Sequence, residues 1–233
     1  MEIEKSHKMD NLKKVLSNIK VIIFDLEGTI LEMDADWEKM RKKISDYFLE
    51  NFNIKLEFKP ILLKIDEALE LLSKKRPINE LKQIKEHALN IIEETHINAA
   101  KNSTLFDGIK DLLKKLKKLG YQLVVFTRSG KKSTKILLEK NGLNKFFKIV
   151  ITREDTEHSK PSSEGIIKIM NFNNFNPDKY LIIGDHPYDI ISGKNANIHT
   201  LGVLSGIASK DDLIKVRPEF ILNNIVELLD YLD

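Results

Sequence analysis

The tetrapeptide Val21 to Phe24 is wholly apolar, and it stops at two acids, Asp25 and Glu27, followed by Gly28 and Thr29. Such a run reads as a buried parallel strand, and open parallel sheets place their ligands outside the carboxyl ends of the strands. Carboxylates there, beside a glycine that lets the backbone turn sharply, suit metal binding or nucleophilic chemistry. A solvated acidic turn is the plain alternative. A second apolar run, Tyr121 to Phe126, ends in Thr127, Arg128, Ser129 and Gly130. A small hydroxyl followed by a guanidinium at a helix N-terminus makes an anion site, although Thr127 or Ser129 would serve equally as the helix cap. Lys160 stands before Pro161 in a polar loop, and a fourth run, Tyr180 to Ile183, ends in Gly184, Asp185, His186, Pro187, Tyr188 and Asp189. Four acids, Asp25, Glu27, Asp185 and Asp189, are thereby expected at one edge of one sheet.

Like charges gathered in a partly dehydrated cleft are costly unless a cation joins them, so Asp25, Asp185 and Asp189 ask for a divalent metal. Oxygen ligands alone, without cysteine or clustered histidine, favour magnesium over zinc. Magnesium in turn suggests a phosphate, whose remaining oxygens Thr127 and Lys160 would hold and neutralise. The combination is a phosphoryl-transfer site.

These residues need a sheet to bring them together, and the rhythm of the chain supplies one. A short lead-in helix presents Leu12, Val15, Leu16 and Ile19 on one face. After the first strand the pattern turns continuously helical from about Met33 to Ala100. Stripes run Trp37, Met40, Ile44, Tyr47, Phe48, then Ile61, Leu62, Ile65, Leu69, Leu72, then Leu81, Ile84, Ala88, Ile91, Ile92. Pro60 and Pro77 punctuate the helix starts, where a missing N–H is harmless. From Thr104 on, helix and strand alternate: helices over Gly108 to Leu119, Ser129 to Lys140, Ser162 to Met170 and Tyr188 to Asn195, and one from Lys210. Strands fall over Phe147 to Ile151, Tyr180 to Ile183, His199 to Val203 and Phe220 to Leu222, with a final helix Ile225 to Leu229. The expected fold is α/β, a Rossmann-like parallel sheet flanked by helices with an inserted all-helical domain. The domain boundaries are residues 1–32 and 101–233 for the core and 33–100 for the insertion.

Composition narrows the function classes. At 233 residues and 42% hydrophobic content, the chain can bury one large core plus a small insertion. Its 38 lysines and arginines against 35 acids are spread over amphipathic segments and form no basic tract, so nucleic acid is not implied. The cysteine count of zero excludes disulfides, thiolate metal sites and a cysteine nucleophile. The charged start, without an apolar signal-like run, and the lack of any bilayer-length apolar stretch lead to an expected cytoplasmic location and no membrane partner.

Taken together, Asp25-Leu26-Glu27-Gly28-Thr29, then Thr127, then Lys160 with Pro161, then Gly184-Asp185 with Asp189 resemble, in order, the four motifs of the haloacid dehalogenase-like (HAD) hydrolases. The resemblance covers the whole core, and the helical block looks like the family's C1-type cap. It implies that Asp25 is the nucleophile and Glu27 the general acid and base, with Thr127 holding the phosphoryl group and Lys160 balancing charge. It places Mg2+ on the Asp25 carboxylate, the Glu27 backbone carbonyl and Asp185, with Asp189 as a further ligand or a partner behind the ligands. Gly28 permits the turn at the phosphoryl site and Thr29 braces it. Most family phosphatases carry Asp where this chain has Glu27, whereas the superfamily's enolase-phosphatases also have Glu. Arg128 departs too, from a small polar residue, and reads as a solvated side chain ahead of a holder of an acidic substrate group; His186, beside the metal motif, reads equally as a substrate contact or a helix-start surface histidine. Cap residues Arg41, Lys42, Lys43 and Arg76 read as solvated.

Gly184 to Gly206 is most similar to phosphoglycolate phosphatases. The implied activity is Mg2+-dependent hydrolysis of small phosphate monoesters through an aspartyl-phosphate, by a monomer or homodimer whose partner is a small phosphorylated metabolite. The alternatives are a pyrophosphatase, a nucleotide phosphatase, a sugar-phosphate mutase, or a non-catalytic phosphate-binding regulator.

Overall fold

The computed structural model describes residues 2–232, and the side chains from Asp10 onward. The chain divides into two compact units: one runs up to Met33 and resumes at Ser103, and the other is Asp34–Asn102.

The first unit is built on six parallel strands: β1 (Val21–Phe24), β4 (Gln122–Phe126), β5 (Ile149–Ile151), β6 (Tyr180–Gly184), β7 (His199–Val203) and β8 (Phe220–Leu222). Their order across the sheet is β5-β4-β1-β6-β7-β8, so the strand carrying Asp25 at its end is central. Register follows from the pattern: Val21 to Phe24 lie opposite Gln122 to Val125 on one side and Tyr180 to Ile183 on the other. Both faces of each central strand are apolar because both are covered. Ile22, Phe24, Leu123, Val125, Leu181 and Ile183 face one way, against Leu12 and Leu16 of α1 (Glu2–Asn18) and Leu112, Leu113 and Leu116 of α5 (Ile109–Lys118). Val21, Ile23, Val124, Phe126 and Ile182 face the other way, against Ile166 and Ile169 of α7 (Glu164–Asn173). Helices α6 (Lys131–Lys140), α8 (Pro187–Asn195) and α9 (Lys210–Val216) complete the alternation. This is the expected α/β, Rossmann-like parallel sheet.

Four differences have local causes. The lead-in helix is long, 17 residues. The segment Ile225–Tyr231 is a 3-10 helix and not an α-helix, capped by the Asn224 side chain accepting from Val226 and Glu227. Helix α6 starts at Lys131, two residues later than its sequence pattern suggested, because Ser129 is drawn away toward Glu27. A two-stranded antiparallel ribbon, β2 (Leu31–Glu32) with β3 (Thr104–Leu105), also has no sequence signal, since two residues carry no periodicity.

The second unit is three helices: α2 (Trp37–Phe52), α3 (Ile61–Ser73) and α4 (Ile78–Ala100). Asp36 caps α2 by accepting from the Lys39 N–H at 2.9 Å, and Asn53 closes it in the left-handed conformation. The stripes expected from the sequence meet in one cluster of Met40, Ile44, Phe48, Phe58, Ile65, Ala68, Leu72, Ile84, Ala88 and Ile92. No helix among the described residues is long and apolar enough to cross a membrane.

Candidate active site

The end of β1 turns because Gly28 adopts φ +78, and the turn is tight: a Cβ on Gly28 would lie 2.6 Å from the Asp185 carboxylate. Thr29, fully buried, donates to Asp185 Oδ1 at 3.3 Å. The turn of β1 and the end of β6 are thus locked together.

Lys160 lies at the centre of the charges. It is 2% exposed, and its ammonium donates to Asp25 Oδ1 at 2.7 Å and to Asp189 Oδ1 at 2.6 Å. Burial pulls this amine down, but the Asp189 and Asp25 carboxylates outweigh it and hold the pKa above its usual value. Among the described residues, Asp25 Oδ2 receives no hydrogen bond, which leaves it available to a reacting atom.

Asp189 does a second job at the start of α8. Its Oδ2 accepts from the His186 N–H at 3.1 Å while His186 Nδ1 accepts from the Tyr188 N–H at 3.1 Å, a reciprocal cap that fixes the carboxylate's direction. The loop carrying Lys160 is held in turn by Glu164, which accepts from the Glu157 and His158 N–H groups at 3.0 and 2.9 Å.

Asp25, Asp185 and Asp189 each offer an oxygen, all within 4.8 Å of one another. One ammonium faces three carboxylates, so negative charge is in surplus. Burial pushes Asp25 well above the usual carboxylate range, with Lys160 pulling against it and Asp189, Glu27 and Asp185 adding to the push. Asp185 is pushed up to about 7 by burial and by the charge of Asp189. A buried, all-oxygen donor set with surplus negative charge fits a hard divalent cation, and a zinc-type sulfur or imidazole ligand is missing from it.

Four acids do not converge, however: the Glu27 carboxylate stands apart from the other three. Its Oε2 accepts from Thr127 Oγ1 at 3.0 Å and its Oε1 from Ser129 Oγ at 2.6 Å. Its side chain is therefore no part of the cluster of Asp25, Asp185 and Asp189. Thr127, 1% exposed, also accepts from the Ser129 N–H at 3.0 Å. Ser129 is the functional residue that sequence reasoning missed, because a serine at a helix start is ordinarily a cap. Both hydroxyls reach Glu27 from the bend that follows the strand, and a bend leaves no periodic signal in the sequence. Arg128 points otherwise, with its guanidinium 5.1 Å from the Tyr188 ring centre.

Residues 22–203 match the family model for haloacid dehalogenase-like hydrolases. Among curated relatives, the chain is 27% identical over 216 residues to pyrophosphatase PpaX of Anoxybacillus flavithermus, covering 92% of this chain and 97% of that protein. It is also 27% identical over 219 residues to the PpaX of Oceanobacillus iheyensis, covering 91% and 96%. Among solved structures, a hydrolase from Pseudomonas syringae superposes with a TM-score of 0.65 at 23% identity, covering 92% of this chain and 98% of that one. A Haemophilus somnus protein described as a predicted phosphoglycolate phosphatase superposes at 0.65 and 20%, covering 93% and 99%. The match spans well over half of the chain, and with the ordered strand-end residues it identifies the protein: the chain belongs to the haloacid dehalogenase-like hydrolases.

Proposed function

We propose that the protein is a Mg2+-dependent phosphohydrolase of small phosphate compounds that works through an aspartyl-phosphate on Asp25. The observation that carries this reading is the state of Asp25: one oxygen held by a buried ammonium, the other uncommitted, and Asp185 beside it.

Asp25 Oδ2 attacks phosphorus, the bond from phosphorus to the leaving oxygen breaks, and protonated Glu27 gives its proton to that oxygen. A water then attacks the aspartyl-phosphate, its proton passes to Glu27, and the bond from phosphorus to Asp25 breaks, releasing inorganic phosphate. Lys160 holds Asp25 in place and offsets charge on the phosphoryl group. Asp25, Asp185 and the Glu27 carbonyl would hold Mg2+, with Asp189 behind them. When bound, Mg2+ would supply positive charge against the surplus carboxylates and the anionic phosphate. Gly28 keeps the turn free of a side chain.

Thr127 has one hydroxyl proton and spends it on Glu27 in this structure. Donating to a phosphoryl oxygen frees Glu27 from Thr127 and leaves Ser129 to hold it. The added methylene of Glu27 is what reaches Ser129, so Glu here is a fitted variant of the family's usual Asp.

Phosphate release from phosphoglycolate, pyrophosphate, p-nitrophenyl phosphate, sugar phosphates and nucleotides tests the proposal, with Mg2+ or EDTA, on wild type, Asp25→Asn and Glu27→Asp. Mg2+-dependent release that Asp25→Asn abolishes is expected, with Glu27→Asp slower by about tenfold. Wild type that binds phosphate without turnover would make it a regulator, and phosphoryl return to a sugar would make it a mutase. The names of the 27% identical relatives favour including pyrophosphate among the first substrates. We also propose that unit 34–102 is a C1-type cap domain of this family; it enters the chain directly after the Asp25 turn and β2. A cytoplasmic enzyme acting on a small phosphorylated metabolite, as monomer or homodimer, completes the reading.

A further inference from the structure

Arg128 leaves the end of β4, and the ring it lies against, Tyr188, follows the end of β6; β1 lies between those two strands. The side chain therefore reaches across the strand end that bears Asp25. Its Nε is buried without a hydrogen-bond partner, and among the described residues no carboxylate pairs with the guanidinium. The neighbouring carboxylates Asp25 and Asp189 are already shared by Lys160. The residue is half-buried, and burial pulls the guanidinium below its usual pKa, against Tyr188, Asp189 and Asp25. Its ring support is itself fixed, since Tyr188 packs edge-on against His186 at 4.6 Å and His186 caps α8. A buried guanidinium N–H without an acceptor costs stability unless an anion meets it, and a planar fork held on an aromatic face is preorganised for one.

We propose that Arg128, braced on Tyr188, binds a second anionic group of the substrate, distinct from the phosphoryl group transferred to Asp25. The inference rests on the phosphohydrolase reading and narrows its substrate class to compact phosphates carrying a further phosphoryl or carboxylate group. Both sources share one chemistry, two or three anionic oxygens a few bonds from the reacting phosphorus. Lys160 and Thr127 take the transferred group, and Arg128 takes the other.

Two measurements decide it. In the first, kcat and KM are compared for wild type, Arg128→Ala and Arg128→Lys on pyrophosphate, phosphoglycolate and 2-hydroxyethyl phosphate, the last matching phosphoglycolate without its charge. The loss of kcat/KM in Arg128→Ala is expected to be at least about 30-fold greater on a doubly anionic substrate than on 2-hydroxyethyl phosphate, mainly through KM, with Arg128→Lys intermediate. A selective loss on phosphoglycolate assigns a carboxylate, and one on pyrophosphate a phosphoryl group. In the second, Asp25→Asn and Asp25→Asn/Arg128→Ala are titrated calorimetrically with inorganic pyrophosphate and inorganic phosphate in Mg2+. Arg128→Ala is expected to weaken pyrophosphate at least about tenfold more than phosphate. The binding experiment needs no turnover, so an inert wild type would remove the phosphohydrolase reading and leave this one decided separately. Equal losses on charged and neutral substrates, together with pyrophosphate and phosphate weakened alike, would overturn the proposal and make Arg128 a structural brace for Tyr188.

Discussion

Lys160 and Lys64 make carboxylate contacts of the same length, 2.6 Å to Asp189 in the strand-end cluster and 2.6 Å to Glu67 in the helical unit, yet their surroundings differ completely. The first pair is 1% and 2% exposed and shares its ammonium with Asp25; the second is 31% and 44% exposed and stands alone. Water screens the second pair and competes for it, so its net worth is small. The first is dehydrated, and removing either partner strands the other. The helical unit takes its stability from packing, with Phe48 fully buried and stacked on Phe58 at 5.1 Å, and keeps its charges outside. The strand ends bury charge at a cost to stability, which is the usual mark of a functional site.

The contrast is most exposed at Lys160. Lys160→Met should lower phosphate release by at least about 10³-fold and unfolding free energy in urea by about 3 kcal/mol, whereas Lys64→Met should move Tm by no more than about 1 °C. Equal losses would erase the distinction. Phe48→Ala should cost about 3 kcal/mol by leaving a cavity, with amide exchange quickening first within residues 34–102. Exchange that quickens equally in both units would show that they unfold as one.

Asp185→Asn sharpens the surplus-charge argument. Asp185 is held up at about 7 in the folded protein against 3.8, so at pH 8 in EDTA its ionised form opposes folding. The variant should then be more stable than wild type by about 1–2 kcal/mol. Millimolar Mg2+ should reverse the order by stabilising only the wild type. A wild type whose melting ignores Mg2+ would remove the metal from the site.

A smaller effect belongs to Glu164→Gln. Two backbone N–H groups and Lys168 hold the Glu164 carboxyl down at about 2, against 4.5. A depressed carboxyl stabilises the fold above its unfolded value and loses that contribution as pH falls from about 4.5 toward about 2. At pH 7 the variant should be less stable by about 1 kcal/mol, and the two denaturation curves should converge by pH 2. A gap that stays constant down to pH 2 would mean the loop is held by something other than this charge.

The sheet was legible because most of its strands are apolar runs stopped by glycine or a polar residue, and the helical unit because its stripes recur at helical spacing. The β2–β3 ribbon was not, since each strand is only two residues long. At the site, the ordered acids, Thr127 and Lys160 could be found one by one at strand ends. Their pairing could not: nothing in the sequence tells that Lys160 bridges Asp25 and Asp189, or that Glu27 turns to Ser129 and away from the other acids. Those choices depend on which neighbour is nearest after folding, and a hydroxyl near a helix start has two such neighbours.

The Lys160–Asp25 hydrogen bond joins residues 135 positions apart, and the Thr127–Glu27 bond spans 100. Contacts of such long range carry a large loop-closure cost and form late, once the strands between them have docked. In a refolding experiment the return of phosphate release should trail the return of helical signal from unit 34–102. Competence at the strand ends would then serve as the clock hand for the last step of assembly.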